Sequence, residues 1–391
     1  MIPRYDPTYS WEDLSVALRA SSAGEPESQL RIRLRDLYSV KHVFMFDHAR
    51  TAICALLIAY GRPGDVLMPA YNCIVVPEAI QSAGYRPLFV DIDLRTLNWT
   101  RDGLRRSLTP TTTAVMATHL FGMPCDLDEA ASFGREHGLL VVEDAAAAIG
   151  AEYREWPVGT IGDASVISFQ ATKVISGEGG GALLTNDDGL ATNVSRLLGS
   201  AKSARSRWLY LGKAALRRTA VARGVYPLVL TGNRAIGKEI MIEAVSPAVR
   251  EPEEMLRRCA PFSSALALAQ IDRLPENLRR RRQVAEIYAS GLAGHPDITL
   301  PKVTQHGNPS WIQYPVMVED KRALYRYLQQ HGIDSSWTYR YSCAESYGLD
   351  GFPGSSAAAR CVLGLSTYPS LSDDEARYIC HVAMDYSRDR S

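Results

Sequence analysis

The sequence predicts an α/β protein, with a large domain built on a mainly parallel central sheet flanked by helices and a smaller C-terminal α/β domain. Three observations carry that prediction. From about residue 40 to residue 185, short apolar runs alternate with amphipathic stretches, the rhythm of β-α units whose strands pair in parallel. The run Leu139-Leu-Val-Val-Glu143 opens with four successive apolar residues, as a strand covered on both faces requires. Beyond Pro247 the composition shifts, which divides the chain into a large domain over 1–245 and a small one over 246–391.

Taken in order, Glu27–Tyr38 carries Leu30, Ile32, Leu34 and Leu37 among arginines and reads as an amphipathic helix. Val43–Phe46 is a short apolar run. Ile53–Tyr60 reads as a helix closed by Gly61 and Pro63. The polar turn before it, Asp47-His-Ala-Arg-Thr-Ala52, is either an ordinary helix cap or a set of free N–H groups suited to a phosphate. Val66–Pro69, Arg86–Asp91 and Ala114–His119 then read as strands, with helices at Val75–Ser82, Arg101–Leu108 and Leu127–Glu136. In such a sheet, ligands bind at the carboxyl ends of strands. Asp144 follows one such strand, Leu139–Glu143. Its carboxylate can hold a protonated ring nitrogen or cap the turn that follows.

Ala164–Ile167 and Ala182–Thr185 read as two more strands, joined by Ser168-Phe-Gln-Ala-Thr-Lys-Val-Ile-Ser-Gly-Glu-Gly-Gly-Gly181. The glycines give this turn its backbone freedom. Lys173 stands at its middle. An amine held partly out of water loses proton affinity and can condense with an aldehyde near neutral pH, whereas most lysines are simply solvated.

Residues Ala201–Lys238 break the rhythm with nine cations, interleaved aromatic and aliphatic residues, and no acid before Glu239. This stretch can lie on an anionic membrane surface or bind an acidic partner. It can equally be a subunit-packing excursion with solvated charges, the reading favoured here because stable membrane binding needs a second anchor. Phe262–Leu274, Pro275–Leu292 and Lys321–His331 then read as helices, and Trp311–Val318 as a strand. Leu371–Tyr386, which opens with Ser-Asp-Asp-Glu, is a final helix.

Equal numbers of basic and acidic residues, 43 each, give no reason to expect a nucleic-acid partner. The seven scattered cysteines lack CxxC spacing, arguing for reduced thiols and against a disulfide framework or a zinc site. No apolar run nears the roughly 20 residues of a membrane span, and the start of the sequence is unlike a signal peptide. A cytoplasmic protein is expected.

The ordered set Arg50-Thr51-Ala52, Val141-Val-Glu-Asp144, Ser168-Phe-Gln-Ala-Thr-Lys173 and Gly177-Glu-Gly-Gly180 resembles the DegT/DnrJ family of pyridoxal-phosphate sugar aminotransferases, which have the aspartate aminotransferase-like fold. The resemblance runs nearly end to end, through Pro63-Gly-Asp-Val-Leu-Met-Pro-Ala-Tyr71, Pro87-Leu-Phe-Val-Asp-Ile-Asp93, Thr118-His-Leu-Phe-Gly122, Leu268-Ala-Gln-Ile-Asp-Arg-Leu274 and Tyr368-Pro-Ser-Leu-Ser-Asp-Asp-Glu375. It implies that Lys173 carries pyridoxal 5′-phosphate as a Schiff base and that Asp144 pairs with the ring nitrogen. It implies further that Ser168, Thr51 and Ala52 bind the phosphate. Four positions depart from the family pattern. Cys73 stands where an aromatic usually stacks on the ring, Ala147 where Gln or His is usual, and Gln170 where His is common. Leu256-Arg257-Arg258 replaces the Asn-Tyr-Arg that reaches a neighbouring subunit's cofactor phosphate, so Arg257 or Arg258 would act in trans in a homodimer. The implied reaction moves an amino group from glutamate to a keto group of a nucleotide-linked deoxysugar. The departures keep open a non-sugar ketone or an elimination, and the fold alone leaves room for a non-catalytic binding protein.

Overall fold

The computed structural model describes residues 1–21, 25–222, 224–235 and 247–386. Its centre is a seven-stranded sheet of β1 (His42–Phe46), β2 (Asp65–Pro69), β3 (Arg86–Val90), β4 (Thr112–Thr118), β5 (Leu140–Asp144), β6 (Ala164–Ser168) and β7 (Gly181–Thr185), in the order β1-β7-β6-β5-β4-β2-β3. Neighbours from β3 to β6 pair in parallel. β7 runs against both β6 and β1. That reversal matters for the site. A parallel successor to β6 would need a long crossover, whereas an antiparallel one needs only a hairpin. The hairpin, residues 169–180, therefore stays at the edge where β4, β5 and β6 end.

Successive strand residues face opposite sides of the sheet, and both sides are buried. Leu67, Val115, Val141, Ile167 and Leu184 pack with Leu30, Leu34, Phe133 and Ile271 on one face. Val66, Met116, Val142, Val166 and Leu183 pack with Ile53, Leu56 and Ile80 on the other. Each such side chain contributes roughly 2 kcal/mol by leaving water, and this two-sided burial produced the near-continuous apolar runs.

A second core lies around β8 (Ile298–Thr299), β9 (Tyr314–Val318) and β10 (Val362–Leu365), which pair antiparallel. It includes Val284, Tyr288, Val316, Leu324, Leu363 and Ile379. The helix Leu274–Gly291 serves both cores, with Leu274 and Leu278 in the sheet core and Val284 and Tyr288 in the second. The expected division near residue 246 lies outside the described residues.

Two helices carry no clear apolar period and went unforeseen. Trp11–Ala20 starts with a Ser10/Asp13 capping box, and Asp188–Ser200 is capped by Asp187; the caps were their local signal. The first ten residues form a strap along both parts of the molecule. Ile2 bridges Ile333, the Ser366 hydroxyl donates to the Pro3 carbonyl at 3.2 Å, Asp6 pairs with Arg218, and Tyr9 reaches Glu178.

Candidate active site

At the carboxyl edge of β4, β5 and β6 lies a cleft of about 200 Å³, lined among others by His48, Ala49, Arg50, Asn72, Cys73, Asp144, Ser168, Gln170, Lys173 and Tyr339. Asp144 is the last residue of β5 and is buried. Among the described residues its carboxylate accepts one hydrogen bond, from the Ala146 N–H at 3.2 Å. Burial raises its pKa above the usual aspartate value, against the lowering influence of that N–H, of Lys173 and of His119. Lys173 is shifted the opposite way. Burial lowers its pKa, and nearby Cys73 and Asp144 oppose that only in part. Both groups are pushed toward their neutral forms, Asp144 from a buried position and Lys173 from a half-buried one.

The helix Ala49–Tyr60 opens on the same cleft. It begins four residues earlier than the sequence reading placed it, with His48 as N-cap and no side-chain cap bond. Gly181 permits this, because a Cβ there would stand 2.4 Å from the Ala49 nitrogen. The early start redistributes the expected phosphate donors. The Ala52 N–H already donates to the His48 carbonyl at 3.2 Å, and the Thr51 hydroxyl donates to Asp47 at 2.7 Å. Neither residue lines the cleft, whereas Ala49 and Arg50 do. The first-turn N–H groups and the helix dipole favour an anion there. Ser168, buried at the end of β6, lies on the same wall, and its Oγ accepts a long 3.4 Å bond from the Gln170 N–H.

Cys73 and Ala147 line the cleft. The Cys73 thiol is raised in pKa by burial. Its N–H is turned by the Asn72 side chain, which accepts from it at 2.7 Å and donates to Thr118 at 3.2 Å. Tyr339 closes the cleft from the C-terminal part of the chain. Its left-handed backbone (φ 46°) holds it edge-on to Tyr71 at 5.6 Å. Beneath the cleft, fully buried His119 has its Nε2 3.3 Å from Glu143. The Glu143 carboxylate accepts N–H bonds from Gly159, Ile161 and Gly162 at 2.6 to 2.7 Å. Sequence reasoning missed Asn72, His119 and Tyr339, although Thr118-His-Leu-Phe-Gly122 was noted as a segment.

The lysine hairpin is fastened from behind. Glu178, with a left-handed φ of 60°, is buried and accepts from Tyr9 Oη at 2.7 Å and Arg217 Nε at 3.0 Å. The Tyr210 ring lies where a Cβ on Gly179 would sit, 2.5 Å away. The basic stretch thus forms helices Arg207–Ala220 and Tyr226–Ala235, and the first of them clamps the hairpin. Exposed Arg258 does not line the cleft; its guanidinium donates to the Leu198 carbonyl at 2.9 Å. Arg257 lies 4.0 Å from Asp47, just before the helix entry.

The model of the DegT/DnrJ/EryC1/StrS aminotransferase family matches residues 14–214 and 256–383. The dTDP-4-dehydro-2,3,6-trideoxy-D-glucose 4-aminotransferase of Saccharopolyspora spinosa is 31% identical over 338 residues, 82% of this chain and 77% of that protein. GDP-perosamine synthase of Caulobacter vibrioides is 30% identical over 299 residues, 76% of this chain and 70% of that protein. Among solved structures, the aminotransferase TlmJ of Streptoalloteichus hindustanus superimposes with a TM-score of 0.81 at 24% identity, covering 100% of both chains. The putative sugar aminotransferase Spr1654 of Streptococcus pneumoniae, in its PMP form, does so with 0.79 at 21% identity, again over 100% of both.

Proposed function

Because the chain belongs to the DegT/DnrJ/EryC1/StrS aminotransferase family, we propose that it binds pyridoxal 5′-phosphate at Lys173 and transfers an amino group from glutamate to a keto group of a nucleotide-linked deoxysugar. The single observation that carries this is the grouping, around one cleft, of a deprotonation-prone amine, an under-bonded buried carboxyl and an uncapped helix N-terminus. Those three match the aldehyde, the basic ring nitrogen and the phosphate of that cofactor. The sugar-nucleotide acceptor follows the relatives' substrates, a dTDP-sugar in one and GDP-perosamine formation in another.

In this reading Asp144 holds the ring nitrogen in its protonated form, and that positive charge relieves the strain of a carboxylate out of water. Bound there, the cofactor supplies an electron-withdrawing ring and a carbonyl that condenses with amines. Lys173 Nζ, freed when the donor's amine takes its place on the cofactor, would take a proton from the donor's α carbon and give it to the carbon of the cofactor's former carbonyl, as base and then acid. Ser168, with the N–H groups of Ala49 and Arg50 on the same cleft, would receive the phosphate; Thr51 would act by tying Asp47 to the helix entry. Cys73 and Gln170 flank the ring site, and Cys73 leaves more room there than an aromatic would. We further propose a homodimer in which Arg257 or Arg258 faces the partner's site, and a cytoplasmic location consistent with seven unpaired cysteines. Among the described residues no helix is long and apolar enough to cross a membrane.

The test is the visible spectrum of purified protein given pyridoxal phosphate, before and after glutamate, beside Lys173→Ala. A lysine-dependent band that shifts on adding glutamate is expected. A band indifferent to glutamate would point to another donor or to elimination, and no band at all would remove the cofactor from the proposal.

A further inference from the structure

The family match stops at residue 214 and resumes at 256, so the end of helix Arg207–Ala220 and all of helix Tyr226–Ala235 lie outside the matched residues. Their inner sides are fully used. Tyr210 and Ala214 join the core beside Phe262 and Leu266, Arg217 is paired with Glu178 and Arg218 with Asp6, and Tyr226 packs with Val221, Leu230 and Tyr5. The outer side of the first helix is different. Trp208, Gly212 and Leu216 recur at every fourth position, with Leu209 and Lys213 beside them, so they share one face. Leu216 is 73% exposed, Trp208 60% and Leu209 42%. Arg207 stacks over Trp208 at 5.1 Å, exposed Lys202 and Arg205 precede the helix, and no acidic residue occurs between Asp188 and Glu239.

We propose that this face docks the protein on an anionic lipid bilayer, with helix 207–220 lying in the plane of the interface. Three features select a bilayer over other partners. The surface is a convex helix with large side chains standing out, which suits insertion among lipid chains more than recognition of a peptide in a groove. Trp and Leu sit on the protruding line with cations at its flanks, the arrangement of interfacial helices, and this exposed apolar line supplies the second anchor that the charges alone lack. A contact of this face with itself in a two-fold dimer is disfavoured, because it would set like charges together; a contact with another surface of a second copy is tested by the oligomeric state below. The cations that act are Arg205 and Lys213, not Arg217 and Arg218, whose charges are turned inward. The docked helix is the one that clamps the lysine hairpin, so the cleft would be held at the membrane surface.

The experiment is sedimentation of the full chain with phosphatidylcholine vesicles and with vesicles containing phosphatidylglycerol, at low and high salt. The wild type should bind only the anionic vesicles and release in high salt. Trp208→Ser with Leu216→Ser, and separately Arg205→Glu with Lys213→Glu, should each lower the bound fraction at least about tenfold, while the melting temperature and oligomeric state stay as in the wild type. A wild type that binds neither vesicle, or both equally, overturns the proposal. So does unchanged binding by either variant. A change of oligomeric state in the Trp208/Leu216 variant also overturns it, by assigning the face to a second copy. None of these readouts depends on aminotransferase activity.

Discussion

Two sets of buried charges, one at the cleft and one behind the lysine hairpin, are built on opposite plans. Behind the hairpin, the Glu178 carboxylate is matched inside the protein by Arg217 and Tyr9, so the fold itself neutralises what it buries. In the cleft, Asp144 and Lys173 are driven toward neutrality by burial, and their mutual attraction only partly compensates. A structural charge is closed by its own chain, whereas a site charge is left short and waits for a ligand. The contrast separates a clamp from a site without reference to any relative.

Substitutions should break this contrast in opposite directions. The largest effect expected is on turnover. Asp144→Asn should lower the glutamate half-reaction about a hundredfold, the scale of losing one preoriented charge in a dry site, measured in single turnover with saturating cofactor. Next comes stability. Arg217→Ala leaves Glu178 buried with Tyr9 alone and should cost about 3 kcal/mol in urea unfolding. That is the low end for a broken buried pair, because Arg217 is itself about a third exposed. Restoring charge with Arg217→Lys should recover part of that loss.

The smallest effect sharpens the comparison most. Without cofactor, Asp144→Asn should make the protein more stable at neutral pH, where Arg217→Ala makes it less so. The sign follows from linkage. A carboxyl whose folded pKa lies above its unfolded value adds stability below the unfolded value, near pH 4, and loses it as pH rises through the folded one. Lys173 mirrors this: its lowered folded pKa adds stability above the ordinary lysine value, and that is lost as pH falls through the folded one. Cofactor-free wild type should therefore gain more than Asp144→Asn when pH is lowered from 7 toward 4, checked by thermal melts across that range. Equal pH slopes in the two proteins would mean that Asp144 is not the strained group.

The sheet was legible because burial on both faces writes runs such as Val141-Val-Glu and Ala164-Ser-Val-Ile that few other structures require. Lys173, Asp144 and Ser168 were legible as an ordered motif, and the structure sets them around one cleft. The start of helix 49–60 was not, because His48-Ala-Arg-Thr reads as a polar turn and the close approach of Gly181 that makes room for the helix start is remote in sequence. Tyr339 had no local signal, since it reaches the cleft from another core through a left-handed backbone. Glu143 was read as one more position in an apolar strand, and its bonds to a loop sixteen or more residues on leave no periodic trace. Arg217 and Arg218 looked like members of a surface charge run. Their acidic partners, Glu178 and Asp6, are far away in sequence, where no window could pair them.

The strap of residues 2–9 also bears on how the chain is made. These residues leave the ribosome long before Ile333 and Ser366 exist to receive them, and loop closure over such a span is slow to be rewarded. The longest loops are the costliest to close, so Ile2 and Pro3 are expected to dock after Asp6 meets Arg218 and Tyr9 meets Glu178. The strap is thus expected to close from Tyr9 toward Ile2, and the clamp behind the lysine hairpin needs no residue beyond Arg218.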